Sequence, residues 1–543
     1  MSEQAFRSNV LKAWGLALLT AAGAARAAQI PVSPSVAAVP EAPPVEVKDG
    51  AILLSVNDAV EIALRRNLGL IVERYTRNNA ETAIEEALGV YDPLLNGEAS
   101  VTGTGGKQGT SSRTDVFDFG VDQVVPSGGT FSVSWKNTRK STSQPPSESF
   151  NPSYDSGLNF IFDQPLLRNF GRFNQERDLL IAQSTTLQSR AEFQRQVIAT
   201  TQQVIDAYWN LVGAREQLVV AQESLALAKD LHERNRIQVE VGTLPPLDLV
   251  QSQAAIATNE ENIIRAQSAV GDAEDVLRQL LNFPQGPLWQ AEIRPTTDPV
   301  GERAPVNLDE SIQAALASRP EIRAQELAVA QAEINSRFFK NQTKPSLDLR
   351  LSYNTSGVGG DLITRDPSTG QIVEVNQGGF GDTFSQITGL DLTTWSARLL
   401  FSYPLFNRTA KAQSASADIV LDRARVILDQ LRQQTITEVR QAVRRVETAA
   451  KSIDAARISS EFQLKNLEAE KKRYENGMST SFQITRIQQD VTQAKSNEVA
   501  AVINYRTALA EYYRVTGRLL DTEGITIDDP ERPINRRIFG LWR

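Results

Sequence analysis

The chain has 543 residues, and its 57 basic against 65 acidic side chains give a formal net charge of −8. This balance argues against a nucleic-acid-binding protein, whose binding face is usually basic. Because the chain contains no cysteine, disulfides, zinc–thiolate sites, iron–sulfur clusters and a cysteine-linked lipid anchor are excluded.

The N-terminal segment predicts export. Arg7 and Lys12 precede the apolar run AWGLALLTAAGAA, and an Ala-Arg-Ala pattern follows, so residues 1–27 are predicted to be a secretory signal peptide. A disordered leader is the alternative. Residues 28–50 are rich in Pro and Ala and are predicted to be a disordered linker. No later run reaches the roughly 18 apolar residues of a membrane helix, so any membrane would be crossed by strands of a closed barrel.

The rest of the chain is an internal duplication. The sequence LSVNDAVEIALRRN at 54–67 matches VNLDESIQAALASR at 306–319, and AYWNLVGAREQLVVAQ from Ala207 matches AVRRVETAAKSIDAAR from Ala442. The predicted repeats span 51–282 and 306–520, with a linker over 283–305 and a C-terminal tail over 521–543. Each half is predicted to contain a short helix, a second helix, strands and two long helices, in that order.

Each half is predicted to end in a pair of long antiparallel helices, over about 172–282 and 411–516. Two rows of apolar side chains recur every seven residues in the first: Val197, Val204, Leu211, Leu218 and Leu225, then Ile198, Ile205, Val212, Val219 and Ala226. Such heptads indicate coiled-coil-like packing. At 1.5 Å per residue the first helix would be roughly 100 Å long. The segments VGTLPPLD at 241–248 and NGMSTS at 476–481 are predicted to reverse the chain.

Alternating sequences predict strands before each helix pair, over about 94–165 in the first half and 346–353 and 395–403 in the second. In SLDLRLSY, Leu347, Leu349 and Leu351 share one face, while Asp348 and Arg350 share the other. The Gly-rich segment 356–394 is predicted to be a surface loop. A soluble sandwich would cover the apolar face with a second sheet, but each half has too few strands for one, so a lipid-facing surface is favoured.

These features resemble the outer membrane efflux family, the TolC-like proteins, over about residues 50–520. The resemblance is carried by the openings DAVEIALRRN and DESIQAALASR, by the prolines in QPLLRNFGR and YPLFNRTAK, and by the turns VEVGTLPPLDLVQSQ and RYENGMSTSFQITRIQQ. It implies a mixed α+β membrane protein, a homotrimer whose strands form one transmembrane β-barrel in the outer membrane. Its long antiparallel coiled-coil helices would form a periplasmic α-barrel.

The resemblance also implies a function. The chain would be a passive channel-tunnel, the exit duct of a tripartite efflux or type I secretion system. Its partners would be outer-membrane lipid, a periplasmic adaptor (membrane fusion) protein and an inner-membrane transporter, with no nucleic acid and no cofactor. The competing interpretation is a soluble periplasmic coiled-coil adaptor or scaffold, which would have no lipid-facing strands.

The resemblance assigns roles to three groups of residues. The periplasmic tip and adaptor contact would comprise Val241, Gly242, Thr243, Leu244, Asn476, Gly477, Met478 and Ser479. The candidate gate residues are Asp248, Gln251, Gln483 and Arg486. The residues expected to face the barrel lumen are Asp348, Arg350 and Arg398.

The sequence departs from the family pattern at two places. Some TolC-like proteins carry aspartates six and nine residues after the second turn glycine, where this chain has Gln483 and Arg486. Arg486 would form a basic ring or pair with a carboxylate such as Asp490, or it would be a solvated tip charge. The family has two strands per half, whereas the first half here has four candidates. Either the barrel gains a hairpin per subunit or some strands lie outside the membrane.

The sequence does not support an enzyme, and no catalytic, cofactor or metal residues are predicted. His232 lies among charges in KDLHERNR and is predicted to occupy a solvated helix face. The segment GTGGKQGTSS at 103–112 lacks the Ser or Thr that follows the lysine of a phosphate-binding loop. It is predicted to be a loop between strands. The carboxylate pair Glu85 and Glu86 has no catalytic partners nearby in sequence.

Overall fold

The computed structural model describes residues 47–48, 50–106, 111–146, 148–299, 305–366 and 369–525. The predicted signal peptide, almost all of the predicted linker at 28–50 and most of the tail at 521–543 lie outside the described residues.

The helices follow the predicted duplicated order. The first half contains α1 (Val56–Arg66), α2 (Leu68–Leu88), α3 (Arg177–Glu240) and α4 (Leu247–Leu281). The second half contains α5 (Leu308–Ser318), α6 (Pro320–Gln342), α7 (Phe380–Gly389), α8 (Arg408–Glu475) and α9 (Ser481–Val515). Single helical turns occur at Arg172–Gln175, Pro287–Gln290 and Leu519–Thr522, and a 3-10 turn at Gly89–Tyr91.

The sequence explains where the short helices begin. Ser55 and Asp58 form a capping box at the start of α1, and the Asn67 side chain caps α2 by accepting from the Leu70 amide. In the second half, Asn307 caps α5, and α6 begins at Pro320, whose missing N–H costs nothing at a first helical position. The two halves thus form the same helix pair with different caps.

The strands form two sheets. The small sheet has the order β1-β2-β7, from β1 (Val47–Lys48), β2 (Ala51–Leu54) and β7 (Glu292–Pro295). The large sheet has the order β10-β8-β6-β5-β4-β3, and β9 pairs with β8. Its members are β3 (Leu94–Gly105), β4 (Ser111–Val124), β5 (Thr130–Thr142), β6 (Glu148–Pro165), β8 (Ser346–Arg365), β9 (Ile372–Asn376) and β10 (Leu392–Ser402). All four strand candidates of the first half therefore lie in one sheet with those of the second.

The register of the large sheet separates an apolar face from a polar face. Trp135 lies opposite Leu158, Phe160 opposite Tyr353, and Tyr353 opposite Trp395. Because cross-strand neighbours share a face, the apolar face is the side that carries these residues with Leu347, Leu349 and Leu351. The polar face is the opposite side, which carries Ser132, Ser134, Asp348, Arg350 and Arg398.

The prediction of a surface loop at 356–394 was wrong. Strand β8 continues to Arg365, and α7 packs on the apolar face against β8 and β6. A Cβ added at Gly357 would overlap the Thr383 carbonyl, and one added at Gly359 would overlap the Gly379 carbonyl. The glycines that suggested a loop are strand residues that let a helix backbone approach closely.

The predicted linker at 283–305 is partly structural. Strand β7 pairs in parallel with β2, opposing Ile52 to Ile293, and both side chains are buried. The hydroxyl of Tyr208, on α3, donates to the Leu54 carbonyl at 3.0 Å and accepts from the Thr297 amide at 3.0 Å. This segment thus attaches the small sheet to the longest helix of the first half.

The long helices form a layer with two tiers. In the upper tier, next to the large sheet, the neighbours run α2-α3-α6-α8; in the lower tier, they run α4-α3-α9-α8. Helix α3 has neighbours on both sides in both tiers. Helix α8 lies at one edge throughout, and α2 and α4 lie at the other edge.

The predicted heptad rows are buried only in the upper part of α3. Val204 and Leu211 are fully buried, but Val219 is 46% exposed, and further on the buried row passes through Leu231 and Asn235. A straight α-helix has 3.6 residues per turn, so a heptad row drifts around its surface. The packed face therefore changes along the helix.

No helix among the described residues combines the length and the apolar character required to cross a membrane.

Candidate functional site: helical tips and polar sheet face

The two turns that join the long helices have the same geometry. Gly242 and Gly477 have φ of +80° and +74°, which favour glycine. The Thr243 amide donates to the Gln238 carbonyl at 2.9 Å, and the Met478 amide donates to the Arg473 carbonyl at 2.9 Å. Both patterns are those of a helix ended by a glycine cap, so the duplication extends to the tips.

Polar side chains link the two tips inside the chain. The Asn235 amide donates to Ser481 Oγ at 2.6 Å, and the Tyr474 hydroxyl lies 2.7 Å from Asn235 Oδ1 and 2.8 Å from Gln238 Oε1. Asn235, Tyr474 and Ser481 are buried. Because buried polar groups are costly when unpaired, this group, here called the tip lock, holds α3, α8 and α9 in one arrangement.

An ion pair and an apolar cluster adjoin the tip lock. Arg234 Nη1 lies 2.6 Å from Glu475 Oε1 and joins α3 to α8. Leu231, Leu467 and Ile484 pack around Tyr474, with Leu244 partly buried against them. Burial raises the pKa of Tyr474, and the nearby charge of Asp248 raises it further, so the hydroxyl stays protonated. The first hairpin is therefore attached to the second by apolar, polar and charged contacts.

Most of the predicted tip-contact residues are accessible. Val241 is 73% exposed and Met478 is 68% exposed, and Gly242, Thr243, Asn476 and Gly477 are also exposed. Leu244 and Ser479 are half-buried; Leu244 packs against the apolar cluster, and Ser479 donates to Glu470. Exposed Leu247, Val250 and Phe482 extend the apolar tip surface and were not predicted.

The four candidate gate residues are not brought together by contacts. Gln251, Gln483 and Arg486 are exposed, and Asp248 is half-buried on the first turn of α4. The described side chains near Arg486 give it no ion pair, so the predicted pairing with Asp490 does not occur within the chain. Arg486 stays a candidate only for contacts with other copies or partners.

The tip lock itself was missed by the sequence analysis. Asn235 follows Leu231 in the buried row of α3, so a polar residue at a core heptad position was the available signal. The prediction that His232 lies on a solvated face was wrong in part, because it is half-buried and its Nδ1 lies 2.8 Å from Ser252 Oγ. No group that could hold a metal ion occurs among the described residues.

The polar face of the sheet carries the predicted lumen residues. Arg350 Nε lies 2.5 Å from Asp163 Oδ1, and the register places Arg398 directly opposite Arg350. Asp348 accepts from Ser346 Oγ at 2.5 Å. The three predicted residues therefore share one face, with Arg350 neutralised by a strand from the other half of the chain.

Comparison with known proteins agrees with this architecture. The 236-residue match to the cation efflux system protein CusC of Escherichia coli K12 is 27% identical and covers 43% of this chain and 48% of that protein. The chain thus spans about half the length of the curated relatives it matches. The structure resembles the CmeC outer membrane channel of Campylobacter jejuni (TM-score 0.60, 15% identity, 86% of both chains).

The outer membrane protein VceC of Vibrio cholerae gives a similar result, with a TM-score of 0.60 and 14% identity over 85% of this chain and 96% of that one. At these identities the structural likeness establishes the fold. The model of the family "Outer membrane efflux protein" matches residues 128–282 and 311–518, which is well over half of the chain. This chain therefore belongs to the outer membrane efflux protein family.

Proposed function

We propose that three copies of this chain form a passive channel-tunnel, the exit duct of a tripartite efflux or type I secretion system. The strands of the three copies form one barrel in the outer membrane, and the helices form a periplasmic tunnel. A periplasmic adaptor and an inner-membrane transporter supply the energy and open the tips. Asp348, Arg350 and Arg398 line the lumen of the barrel.

The observation that carries this proposal is the continuity between the sheet and the long helices. Strand β6 ends at Pro165 and α3 begins at Arg177, while β10 ends at Ser402 and α8 begins at Arg408. The 64 residues of α3 span about 96 Å at 1.5 Å per residue. A sheet with one apolar face, continued by helices of this length, suits a duct that leads away from a membrane.

Opening is proposed to occur at the tips. The tip lock and the Arg234–Glu475 pair hold the two hairpins together within each copy. A partner that binds the exposed apolar tip residues better when the hairpins separate would shift the population towards the open state. Binding there would use Val241 and Met478, which are mostly exposed.

The proposal is tested with the detergent-purified protein, whose mass is measured by light scattering and whose conductance is measured in planar bilayers. The expected result is a trimer that inserts and passes small, mostly closed currents. A water-soluble particle that never inserts would contradict the proposal and favour the adaptor or scaffold interpretation.

A matched pair of variants tests the tips. Glu475→Gln removes the pair with Arg234 that joins the two hairpins, whereas Glu468→Gln removes a pair with Lys472 inside α8. An exposed pair is worth about 0.5 kcal/mol, so its loss in three copies favours opening by about tenfold. Glu475→Gln is expected to raise the open probability by that factor and Glu468→Gln to leave it unchanged. Equal effects would contradict opening at the tips.

A further inference from the structure

We propose that the assembled barrel contains eighteen strands, six from each chain, with β3 of one copy paired to β10 of the next. The resemblance to the family implies two strands per half and hence four per chain. The inference rests on the proposed trimer for the number of copies, but the number of strands per chain comes from the sheet itself.

The first step concerns the hairpin of β4 and β5, which exceeds the family pattern. Strand β4 pairs with β3 from Ser111 to Val124, and β5 pairs with β6 from Thr130 to Asn137 and beyond. The hairpin thus separates β3 from β6 along the length of the sheet. Its apolar side chains, including Phe119 and Trp135, lie on the apolar face. Nothing about this hairpin distinguishes it from the other strands.

The second step concerns the two edges of the sheet. Strands β3 and β10 each have a hydrogen-bonded neighbour on one side only. Open sheet edges do not occur in the hydrocarbon region of a membrane, because their N–H and C=O groups would lack partners. Known bacterial barrels have at least about eight strands, and eight leave an interior only just wide enough for side chains. Six strands are too few to close alone, so the edges must pair with other copies.

The third step concerns strand direction. Neighbours in the large sheet are antiparallel throughout. With six strands, β3 and β10 run in opposite directions, so β3 of one copy forms an antiparallel ladder with β10 of the next. The contact is head-to-tail and closes a ring by rotation. The same rotation places the α2 and α4 edge of one helical layer against the α8 edge of its neighbour, because β3 follows α2 and α8 follows β10.

The fourth step compares widths. Each tier of the helical layer has four helices, and helices 8–10 Å apart occupy about 32–40 Å of circumference per chain. Strands 4.8 Å apart and tilted by 35–45° occupy about 6–7 Å each, so six strands need about 35–41 Å and four need about 23–27 Å. Six strands match four helices without narrowing, so the barrel would be about as wide as the tunnel, and the tips would be the narrowest part of the duct.

The decisive test is a single-particle electron cryo-microscopy reconstruction of the full-length protein in detergent. The expected result is a trimer whose barrel has eighteen strands, with β4 and β5 inside it. A trimer with a twelve-stranded barrel and a detached hairpin would overturn this inference and leave the proposed function intact. A particle without threefold symmetry would overturn the proposed function.

Cysteine labelling gives an independent test, because the chain has no native cysteine. The sheet register places Val133 and Ser134 of β5 at the heights of Tyr353 and Asn354 of β8. In lipid nanodiscs, a water-soluble maleimide should modify Ser134→Cys at least tenfold faster than Val133→Cys. The matched β8 pair, Asn354→Cys and Tyr353→Cys, should show the same ratio. Alternation in β8 without alternation in β5 would overturn the inference.

Discussion

Helices α3 and α8 occupy equivalent places in the duplicated halves, but their surroundings differ. Helix α3 lies inside the layer and buries side chains along most of its length, including Phe193, Leu211 and Leu231. Helix α8 lies at an edge, and it exposes Ile419, Val426, Ile458 and Phe462. The same kind of helix therefore serves as the core of one chain or as the surface that joins two chains.

The largest expected effect is on the interior helix. Leu211 is fully buried, so Leu211→Ala should lower the free energy of unfolding by about 3 kcal/mol, through lost burial and a residual cavity. The same substitution at Leu464, which is 41% exposed on α8, should cost less than about 1 kcal/mol. Denaturant unfolding followed by circular dichroism in detergent measures both. Equal losses would show that α8 is as buried as α3.

The edge helix should show its effect in assembly. Phe462 is 63% exposed and lies on the side of α8 opposite the buried Ser460 and Leu467. If a neighbouring copy covers it, Phe462→Ala removes about 2 kcal/mol of apolar burial per interface. The trimer should dissociate at lower denaturant concentration, while the helix content of each chain is retained.

Light scattering and circular dichroism along one urea titration separate these two effects. Glu461→Ala, at an exposed position on the same turn, is the control and should leave the trimer unchanged. A Phe462→Ala trimer that dissociates like the unmodified protein would place the interface elsewhere.

The smallest expected effect concerns a carboxyl group in the interior helix. Burial, with a smaller contribution from the Glu511 charge, raises the pKa of Asp206 to about 6, and its Oδ1 is buried without a hydrogen-bond partner. Between the unfolded and folded pKa values, the folded chain binds more protons, so this group's contribution to stability falls as the pH rises from about 4 to 6.

Asp206→Asn should therefore stabilise the protein at pH 7.5, by on the order of 1 kcal/mol after solvent screening, and have little effect at pH 4. Thermal unfolding at the two pH values measures the difference. Asp272→Asn, at an exposed position on α4, is the control and should show no such pH dependence. A gain that is equal at both pH values would contradict the raised pKa.

Much of this architecture was readable from local patterns. The heptads of α3, the alternation around Leu349 and the two turn glycines, Gly242 and Gly477, each specify a conformation through contacts a few residues apart. Because each pattern occurs twice in the same order, the fold and the family followed from the sequence. The predicted tip residues are mostly exposed for the same reason, since a tight turn between long helices leaves its side chains without neighbours.

Other features depended on contacts between distant segments. Whether Gly357 belongs to a loop or a strand was decided by the backbone of α7, which rests on it. The tip lock joins Asn235 to Tyr474 and Ser481 across more than two hundred residues of sequence, and no local pattern specifies that pairing. Likewise, Leu231 is buried and Ile458 exposed on equivalent helices, because burial depends on which neighbours the tertiary structure provides.

The sequence by itself determined the duplication, the element types, the face of each strand and the family, because these depend on periodicity and local backbone preference. Only the tertiary structure decided that six strands share one sheet, that α3 is interior and α8 is an edge, and which polar groups connect the tips. The physical reason is that pairing and burial are set by segments distant in sequence, whose apolar and hydrogen-bonding surfaces can be satisfied in more than one arrangement until the whole chain is folded.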